Sequence, residues 1–373
     1  MNKKAVVAGH ICLDITPTFP QQASKNLHDI LSPGSLTNVG PADIHTGGAV
    51  ANTGLAMKIL GADVTLAGKI GNDAFGDMIE SITGKYGASY GLIRSAGDFT
   101  SYSIVISVPG VDRIFLHDPG ANDTFCAGDI PMDAVKEASL FHFGYPPIMK
   151  HIYENDGSEL VSIMRMVQEA GAATSLDMCF VDPDSESGHV NWSRILSDVL
   201  PYVDIFVPSA EELMFMLERE RFEQIRRDHP DEDLTSIMSI EEDIRPLGDK
   251  CLKMGAKIVL IKCGQPGLYY CTKDEISIAQ ISPKLELDSA KWSSKYGFEK
   301  SFVPEQVLSG TGAGDTSVAA FLTAMLRGYG IEDCVRYAAA TGACCVTAYD
   351  ALGGLKSFEK IDEMIADGWK KTE

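Results

Sequence analysis

The chain has 373 residues, 45% hydrophobic and 23% charged, and its 52 acidic and 32 basic side chains give a formal net charge of −20. This composition excludes disordered and fibrous proteins, and the length fits one large α/β domain with an appendage or two modest domains. The acidic excess argues against nucleic acid and anionic membranes as partners, because both are bound through Lys and Arg that neutralise phosphates.

The N-terminal segment has two lysines and a short apolar run that resemble the start of a signal peptide. His10 and Asp14 interrupt the run and no cleavage-site pattern follows, so the segment is predicted to be a first strand. No apolar stretch approaches the ~20 residues of a membrane helix, which predicts a soluble protein. The nine cysteines form no C-x-x-C pair, which favours reduced thiols in the cytoplasm over a zinc site or disulfides.

Along the chain, apolar runs of strand length alternate with stretches of helical period. The runs predict buried strands at residues 5–9, 64–67, 140–143, 173–176, 205–207 and 258–261. Helices are predicted at 49–60 and 158–170, each ending beside a glycine as C-terminal capping prefers. The alternation predicts a three-layer α/β/α sandwich around a mostly parallel sheet.

Other segments depart from this alternation. Residues 100–117 alternate polar and apolar side chains around a Pro-Gly turn, which predicts an antiparallel hairpin. The polar segment 16–43 is long for a loop and is predicted to carry extra strands. Together they suggest a small β-sheet lid built from residues about 14–45 and 98–120. The charge-dense insertion 218–249 is interpreted as a solvated surface helix and loop.

The most informative segment is SGTGAGDTSVAAFLTAML, residues 309–326. Gly310, Gly312 and Gly314 alternate with small residues, and an apolar helix is predicted from about Ala313 to Leu326. A glycine turn at a helix N-terminus exposes backbone N–H groups and lets a phosphate approach closely. The pattern of a P-loop is absent, so the segment predicts a different kind of phosphate-binding turn.

Asp315 lies in the first turn of this predicted helix. Such an acidic residue commonly stabilises the helix N-terminus through the helix dipole. Beside a phosphate-binding turn, a carboxylate is also placed to accept a hydroxyl proton during phosphoryl transfer. The residue types leave both roles open.

This segment resembles the C-terminal signature of the ribokinase-like (PfkB-type) carbohydrate kinases, which ends in a G-A-G-D turn entering a helix. Further segments resemble the family in the expected order along nearly the whole chain. They are Asp14 after the first strand, Gly47, Gly48 and Asn52 in GGAVANTG, the segment GKIGNDAFGDMI, and Asn122 in DPGAND.

The resemblance implies roles for these residues. Asp315 would be the catalytic base, and the backbone N–H groups of Gly312, Ala313 and Gly314 would form the anion hole. The substrate would be bound by the residues of the N-terminal motifs: Asp14, Gly47, Gly48, Asn52 and Asn122.

The resemblance also implies ATP and Mg²⁺ as cofactors. Glu212 in VPSAEEL takes the place of a glutamate that organises Mg²⁺ through water. Gly264 and Gly267 in IKCGQPG would reach the nucleotide, as would Thr311, Gly312 and Gly314. Lys262 stands where the family has a threonine, and we hypothesise that it contacts a nucleotide phosphate. Ser309 stands where the family has an aspartate, which argues against a monovalent-cation requirement.

The implied protein is a single ribokinase-like kinase domain over residues 1–373 that phosphorylates a hydroxyl of a sugar or sugar-like substrate. A nucleoside kinase of adenosine or pseudouridine type would use the same motifs and remains an alternative. An inactive sugar- or nucleotide-binding regulator is a third possibility, against which the retained Asp315 argues. The substrate motifs are poor in Lys and Arg apart from Arg113, which disfavours a phosphorylated substrate. In this family lids often pair across a homodimer, which is expected here.

Overall fold

The computed structural model describes residues 3–19, 33–88, 90–108, 114–230 and 232–372. In these ranges the strands are β1 (Lys4–Gly9), β2 (Cys12–Pro17), β3 (Ala42–Gly47), β4 (Asp63–Ala67), β5 (Lys69–Gly71), β6 (Ile93–Ser95), β7 (Tyr102–Ile106), β8 (Ile114–Asp118), β9 (Leu140–Gly144), β10 (Ala173–Asp177), β11 (Ile205–Phe206), β12 (Ile258–Lys262), β13 (Gly267–Thr272) and β14 (Tyr296–Lys300).

The helices of the same ranges are α1 (Ala49–Ile59), α2 (Ala74–Gly84), α3 (Met132–Glu137), α4 (Lys150–Glu169), α5 (Trp192–Val199), α6 (Ala210–Leu217), α7 (Arg219–Asp228), α8 (Leu234–Ile237), α9 (Arg245–Met254), α10 (Glu275–Ile278), α11 (Ser289–Trp292), α12 (Ala313–Leu326), α13 (Ile331–Cys345) and α14 (Phe358–Ala366). Helix α4 is interrupted at residues 154–157, where the backbone is not helical. The predicted helix 158–170 corresponds to its second part. No helix in the described ranges combines the length and apolarity needed to cross a membrane.

Eight strands form the main sheet, in the order β14-β13-β12-β11-β10-β9-β1-β4. Neighbouring strands are parallel from β4 to β12, and β13 and β14 continue the sheet antiparallel. All six predicted strands lie in the parallel part, which confirms the predicted mostly parallel sheet. Strands β13 and β14 were missed. For β14 the reason is its half-exposed sequence, which has no continuous apolar run.

Helices cover both faces of the main sheet. Along β1, Val7 packs with α1, α12 and α13 on one face, whereas Val6 packs with Phe141 and the α4 side on the other. Alternate strand residues therefore fill two separate cores, as expected for a sheet buried on both faces. The predicted three-layer α/β/α arrangement is confirmed.

A separate four-stranded sheet has the order β3-β2-β7-β8. The antiparallel pairing of β7 with β8 confirms the predicted hairpin, and β2 and β3 flank the polar segment that was predicted to carry extra strands. The Pro-Gly turn of the hairpin, Arg113 and residues 20–32 lie outside the described ranges.

The charged segment 218–249 contains α7, α8, a π-helical turn at Ile240–Ile244 and the start of α9. Its charges lie on the surface, but Phe222, Ile225, Leu234 and Ile244 are buried in the second core. The prediction of a solvated element therefore missed that this segment packs against the domain. These four residues stand singly among charged or polar neighbours, so they form no apolar run that the sequence would reveal.

Candidate active site

The candidate site lies at the edge of the main sheet where its parallel strands end. Tyr145 follows β9, Asp177 is the last residue of β10, and Lys262 is the last residue of β12. Helix α12 begins at the same edge, which brings Asp315 beside them. In parallel α/β sheets this edge is the usual ligand-binding crevice.

Asp315 is buried, with 4% of its surface exposed, and its carboxylate has two side-chain donors from distant segments. The Tyr145 hydroxyl donates at 2.7 Å to Oδ1 and 2.8 Å to Oδ2, and Asn52 Nδ2 donates to Oδ2 at 3.0 Å. Burial raises the pKa of Asp315, although these hydrogen bonds and the charge of Lys262 oppose the rise. The result is an oriented carboxylate that is more basic than a free aspartate.

Helix α12 begins from a left-handed residue, Gly312, at φ 73°. A methyl group there would lie 2.3 Å from Ala351 Cβ, so only glycine fits this turn. The first N–H groups of a helix have no intrahelical acceptor, and Ala313 N–H donates to the Gly310 carbonyl at a long 3.3 Å. Because the Ala313 N–H already has an acceptor, the N–H groups of Gly312 and Gly314 are the main candidate donors of the predicted anion hole.

Lys262 forms a buried ion pair beside this helix end. Its Nζ donates to Asp177 Oδ1 at 2.6 Å, and Asp177 is fully buried. A methyl group on Gly314 would lie 3.4 Å from Lys262 Cδ, so the lysine side chain runs along the glycine turn. Lys262 therefore lies beside the predicted phosphate-binding turn, and its contact with a nucleotide phosphate stays a prediction.

The charges of this pair depend on their burial. Burial by itself would lower the pKa of Lys262, but the carboxylates of Asp177, Glu212 and Asp315 outweigh it and keep the pKa above its ordinary value. Burial raises the pKa of Asp177 to about 7 against the opposing charge of Lys262. Asp177 Oδ2 has no hydrogen-bond partner among the described residues. An unpartnered buried carboxylate oxygen is a candidate ligand for a cation.

Glu212 lies in the first turn of α6 and is 8% exposed. It forms a capping box with Ser209: Ser209 N–H donates to Glu212 Oε2 at 2.7 Å, and Glu212 N–H donates to Ser209 Oγ at 3.3 Å. Within the described ranges, no group of three or more His, Cys, Asp or Glu side chains could hold a metal ion. Asp177 Oδ2 and Glu212 nevertheless fit Mg²⁺, which is usually held by one or two carboxylates together with nucleotide phosphates.

The N-terminal motifs form the other wall of the site. A methyl group on Gly47 would lie 2.3 Å from Asp14 Oδ2, and one on Gly48 would lie 2.5 Å from His10 Nδ1. The two glycines therefore let the backbone approach Asp14 and His10. Burial raises the pKa of Asp14.

A pair of histidines lies between this wall and the small sheet. His10 Nε2 is 3.3 Å from His117 Nε2, and His117 Nδ1 is 3.0 Å from Ser103 Oγ. Burial lowers the pKa of both imidazoles, so they are neutral near pH 7. His10 Nδ1 is buried and has no partner among the described residues. The pair gives this wall hydrogen-bonding groups without positive charge.

Asn122 differs from the other predicted substrate residues in that both polar atoms of its side chain bond to the protein backbone. Its amide is fully buried: Oδ1 accepts from Ile11 N–H at 3.1 Å, and Nδ2 donates to the carbonyls of Ile11 and Pro119, each at 3.0 Å. In the structure this side chain links the connection between β1 and β2 to the segment that returns from β8. Its predicted contact with substrate stays a prediction.

The remaining predicted nucleotide residues have clear structural constraints. A methyl group on Gly264 would lie 2.6 Å from Thr235 Oγ1, and one on Gly267 would lie 2.1 Å from the Glu299 carbonyl. Thr311 N–H donates to Ser309 Oγ at 3.1 Å, which shapes the start of the glycine turn. The contacts of these residues with a nucleotide stay predictions.

Sequence reasoning missed Tyr145 and Asp177. Both stand at the ends of strands that were predicted correctly, and side chains that end parallel strands face the ligand edge of the sheet. Their position at a strand end was the feature of the sequence that could have identified them as site residues. It was weak, because nothing in the sequence indicates that Tyr145 reaches Asp315 across 170 residues.

Known proteins share sequence and fold with this chain. The profile of the pfkB family of carbohydrate kinases matches residues 3–356. The chain belongs to this family. As a carbohydrate kinase it is a phosphotransferase that acts on sugars.

Several relatives cover most of this kinase at low identity. An uncharacterized sugar kinase of Archaeoglobus fulgidus is 26% identical over 81% of the chain and 98% of its own length. Fructokinase-1 of Zea mays is 26% identical over 86% of the chain and 88% of its own length. The Arabidopsis thaliana ribokinase is 26% identical over 86% of the chain and 72% of its own length.

Solved structures share the fold of this kinase. The Arabidopsis thaliana ribokinase complexed with ribose and ATP superposes with a TM-score of 0.69 at 21% identity, covering 98% of this chain and 99% of the other. The Xylella fastidiosa fructokinase with bound ATP gives 0.71 at 20% identity with the same coverage. The ribokinase-like fold class predicted from the sequence is confirmed.

Proposed function

We propose that this kinase transfers the γ-phosphoryl group of ATP, in the presence of Mg²⁺, to a hydroxyl group of a sugar or sugar-like alcohol. The observation that carries the proposal is the buried Asp315 carboxylate at the start of α12, with Tyr145 and Asn52 as donors and Lys262 beside it. A buried carboxylate, a lysine and the N–H groups of a glycine turn thus meet at one helix end.

In the proposed reaction Asp315 accepts the proton of the attacking substrate hydroxyl. The substrate oxygen forms a bond to the γ-phosphorus, the bond from that phosphorus to the bridging oxygen breaks, and ADP leaves. The raised pKa of Asp315 improves it as a base at neutral pH, because proton transfer is most efficient when the two pKa values approach one another.

The glycine turn and Lys262 would stabilise the charge that develops during transfer. The N–H groups of Gly312 and Gly314, reinforced by the dipole of α12, are fixed donors that need no rearrangement when charge builds up. Lys262 would move its Nζ from Asp177 to a phosphate oxygen. Asp177 Oδ2 and Glu212 would hold Mg²⁺, which supplies charge neutralisation on the β- and γ-phosphate oxygens when it is bound.

The substrate would lie between Asp315 and the wall formed by Asp14, Gly48 and His10. Asp14 and the neutral imidazole of His10 suit the hydroxyl groups of an uncharged alcohol. The four-stranded sheet would act as a lid that excludes water from the phosphoryl group. Pairing of two copies through this lid and a cytoplasmic location also stay predictions.

The decisive experiment measures ADP release by the purified chain with MgATP and a panel of pentoses, hexoses, keto-deoxy acids and nucleosides. We expect turnover with at least one sugar. In Asp315→Asn the rate should fall by about 10²–10⁴-fold, the usual contribution of a general base.

Asp362→Asn is the matched control, since Asp362 also accepts from a tyrosine, Tyr337, at 3.0 and 2.9 Å but belongs to α14. This control should retain the full rate. Undiminished turnover in Asp315→Asn would overturn the mechanism. Turnover with nucleosides alone would make the enzyme a nucleoside kinase, and no turnover with any compound would favour the binding protein.

A further inference from the structure

Tyr145 adopts an uncommon backbone conformation at the end of β9. Its φ of 69° and ψ of 41° lie in the left-handed region, which residues with a side chain rarely occupy. Pro146 and Pro147 follow it and limit the chain to a narrow range of conformations. Backbone strain of this kind is kept where the surrounding structure needs the side chain in one place.

The backbone conformation of Tyr145 places its side chain against the Asp315 carboxylate. The Tyr145 hydroxyl lies within hydrogen-bonding distance of both carboxylate oxygens, at 2.7 and 2.8 Å. Asn52 donates to Oδ2 from the other side. Burial raises the pKa of the Tyr145 phenol well above its ordinary value, so the hydroxyl keeps its proton and acts as a donor to the ionised carboxylate.

We propose that Tyr145 is a positioning residue for phosphoryl transfer: its hydroxyl orients the Asp315 carboxylate toward the substrate and stabilises its ionised form. This inference rests on the proposed function, in which Asp315 is the base. Without the tyrosine donor, burial would raise the pKa of Asp315 further, and the base would be protonated over more of the acid range.

Other charged and titratable groups also face Asp315, from every element around it. They are Asp14 on β2, Asp177 on β10, Lys262 on β12, Cys345 on α13 and Cys179 after β10. Asp14 and Asp177 disfavour the Asp315 charge, whereas Lys262 favours it. Tyr145 differs from them because it stabilises the carboxylate through hydrogen bonds and bears no charge, and it differs from Asn52 because its hydroxyl lies within hydrogen-bonding distance of both carboxylate oxygens.

The test is the pH dependence of kcat/KM for the sugar in wild type and Tyr145→Phe. Hydrogen bonds to charged groups are among the stronger ones in proteins. We therefore expect the acid side of the profile, where kcat/KM falls as Asp315 becomes protonated, to move up by about one pH unit. At pH values below this region kcat/KM should be about tenfold lower than in the wild type. The KM for ATP should not change, since the Tyr145 ring lies 6.2 Å from that of His10, in the wall that is proposed to bind the substrate.

Tyr337→Phe is the matched control, because it removes the same kind of two-oxygen contact, to Asp362, between α13 and α14. Its pH profile should coincide with that of the wild type. A Tyr145→Phe profile that also coincides with the wild type would overturn the proposal, as would a uniform loss of activity with no displacement along the pH axis.

A second measurement keeps the proposal separate from the enzyme activity. The Asp315 carboxyl carbon is titrated by ¹³C NMR in the substrate-free protein, with Asp315→Asn used to assign the signal. We expect its midpoint to rise by about one unit in Tyr145→Phe. An unchanged midpoint refutes the Tyr145 proposal even if the kinase is active. Absence of turnover in the wild type, with the expected shift present, refutes the proposed function instead.

Discussion

The ion pair between Lys262 and Asp177 puts a positive charge beside the glycine turn of α12. The chain contains a useful counterpart in Lys257, which pairs with the buried Asp204 at the opposite end of β12. Both pairs bury a lysine and an aspartate at the edge of the same sheet. They differ in that only Lys262 lies at the candidate active site.

Lys262→Met should raise the KM for ATP by about tenfold or more, because a charged hydrogen bond to phosphate is lost. It should also lower the free energy of unfolding by about 3 kcal/mol, since Asp177 is left buried without its partner. Lys257→Met should produce a comparable loss of stability with an unchanged KM. Steady-state kinetics and urea unfolding measure both effects, and equal KM values for the two variants would contradict the assigned role.

His142 lies in the middle of β9 and is fully buried, with Nδ1 2.9 Å from Ser175 Oγ. Burial lowers its pKa to about 3, whereas the unfolded chain has a histidine pKa of about 6.5. Between these values the unfolded chain binds a proton that the folded chain does not. Acidification therefore destabilises the fold through this group.

We expect His142→Gln to reduce the loss of unfolding free energy between about pH 7 and pH 5.5 by roughly 1 kcal/mol. Urea unfolding at the two pH values measures this difference. The exposed His151 supplies the control, since His151→Gln makes the same change of residue type at the surface. Identical pH dependence in wild type and His142→Gln would show that the histidine is not kept neutral in the fold.

At the scale of the elements, α12 has a left-handed glycine at each end. Gly312 begins the helix at φ 73°, and Gly328 follows its end at φ 83°. A methyl group on Gly312 would collide with Ala351, but one on Gly328 would meet no atom within 4 Å. The two positions therefore share the backbone strain and differ in the space around them.

Ala at either position should cost about 1–2 kcal/mol of unfolding free energy, because an L-residue is held in the left-handed region. Gly312→Ala should in addition move the helix N-terminus and lower kcat by more than about tenfold, since small misplacements at a reacting centre have large effects. Gly328→Ala should keep its kcat. Thermal unfolding and ADP release measure both, and a normal kcat in Gly312→Ala would contradict the role of this turn.

The elements also show what the sequence can and cannot predict. The parallel strands are buried on both faces, so they stand out as continuous apolar runs and were located within one or two residues. Strand β14 is partly exposed and α7 buries only isolated residues such as Phe222 and Ile225, and neither leaves a clear periodic signal.

The candidate site likewise has a part that the sequence predicts and a part that it does not. The glycine turn and Asp315 are adjacent in the sequence, so residue type and spacing predict a phosphate-binding turn with a carboxylate beside it, and the resemblance to the family implies the role of base for that carboxylate. The Tyr145 and Asp177 contacts depend on which strand ends meet at the sheet edge and on the φ of a single residue. Those features are set by tertiary packing, which the residue pattern does not encode locally.

At the scale of the whole molecule, the net charge of −20 repels the nucleotide that the proposed reaction requires. The proposed local donors would bind phosphate at the site, but we expect the surrounding field to slow the approach of the MgATP anion. Added salt shortens the range of that field, to about 10 Å at 0.1 M ionic strength.

Raising the ionic strength from about 0.02 to about 0.2 M with a tetramethylammonium salt should therefore increase kcat/KM for ATP by about two- to threefold. The value for an uncharged sugar should stay constant and serves as the internal control. Steady-state kinetics at several salt concentrations measures both. A fall in kcat/KM for ATP over this range would mean that a local positive field, and not the net charge, governs nucleotide encounter.

The contact between α1 and α12 has a consequence for biosynthesis. Asn52 and Asp315 are 263 positions apart, and the helices that carry them share one core with β1. At about 5–20 residues per second, a ribosome needs on the order of 13–50 s to make the chain between them. During that time the nascent N-terminal half presents an uncovered apolar face, so we expect chaperones to bind there until residues 313–345 emerge and close the core.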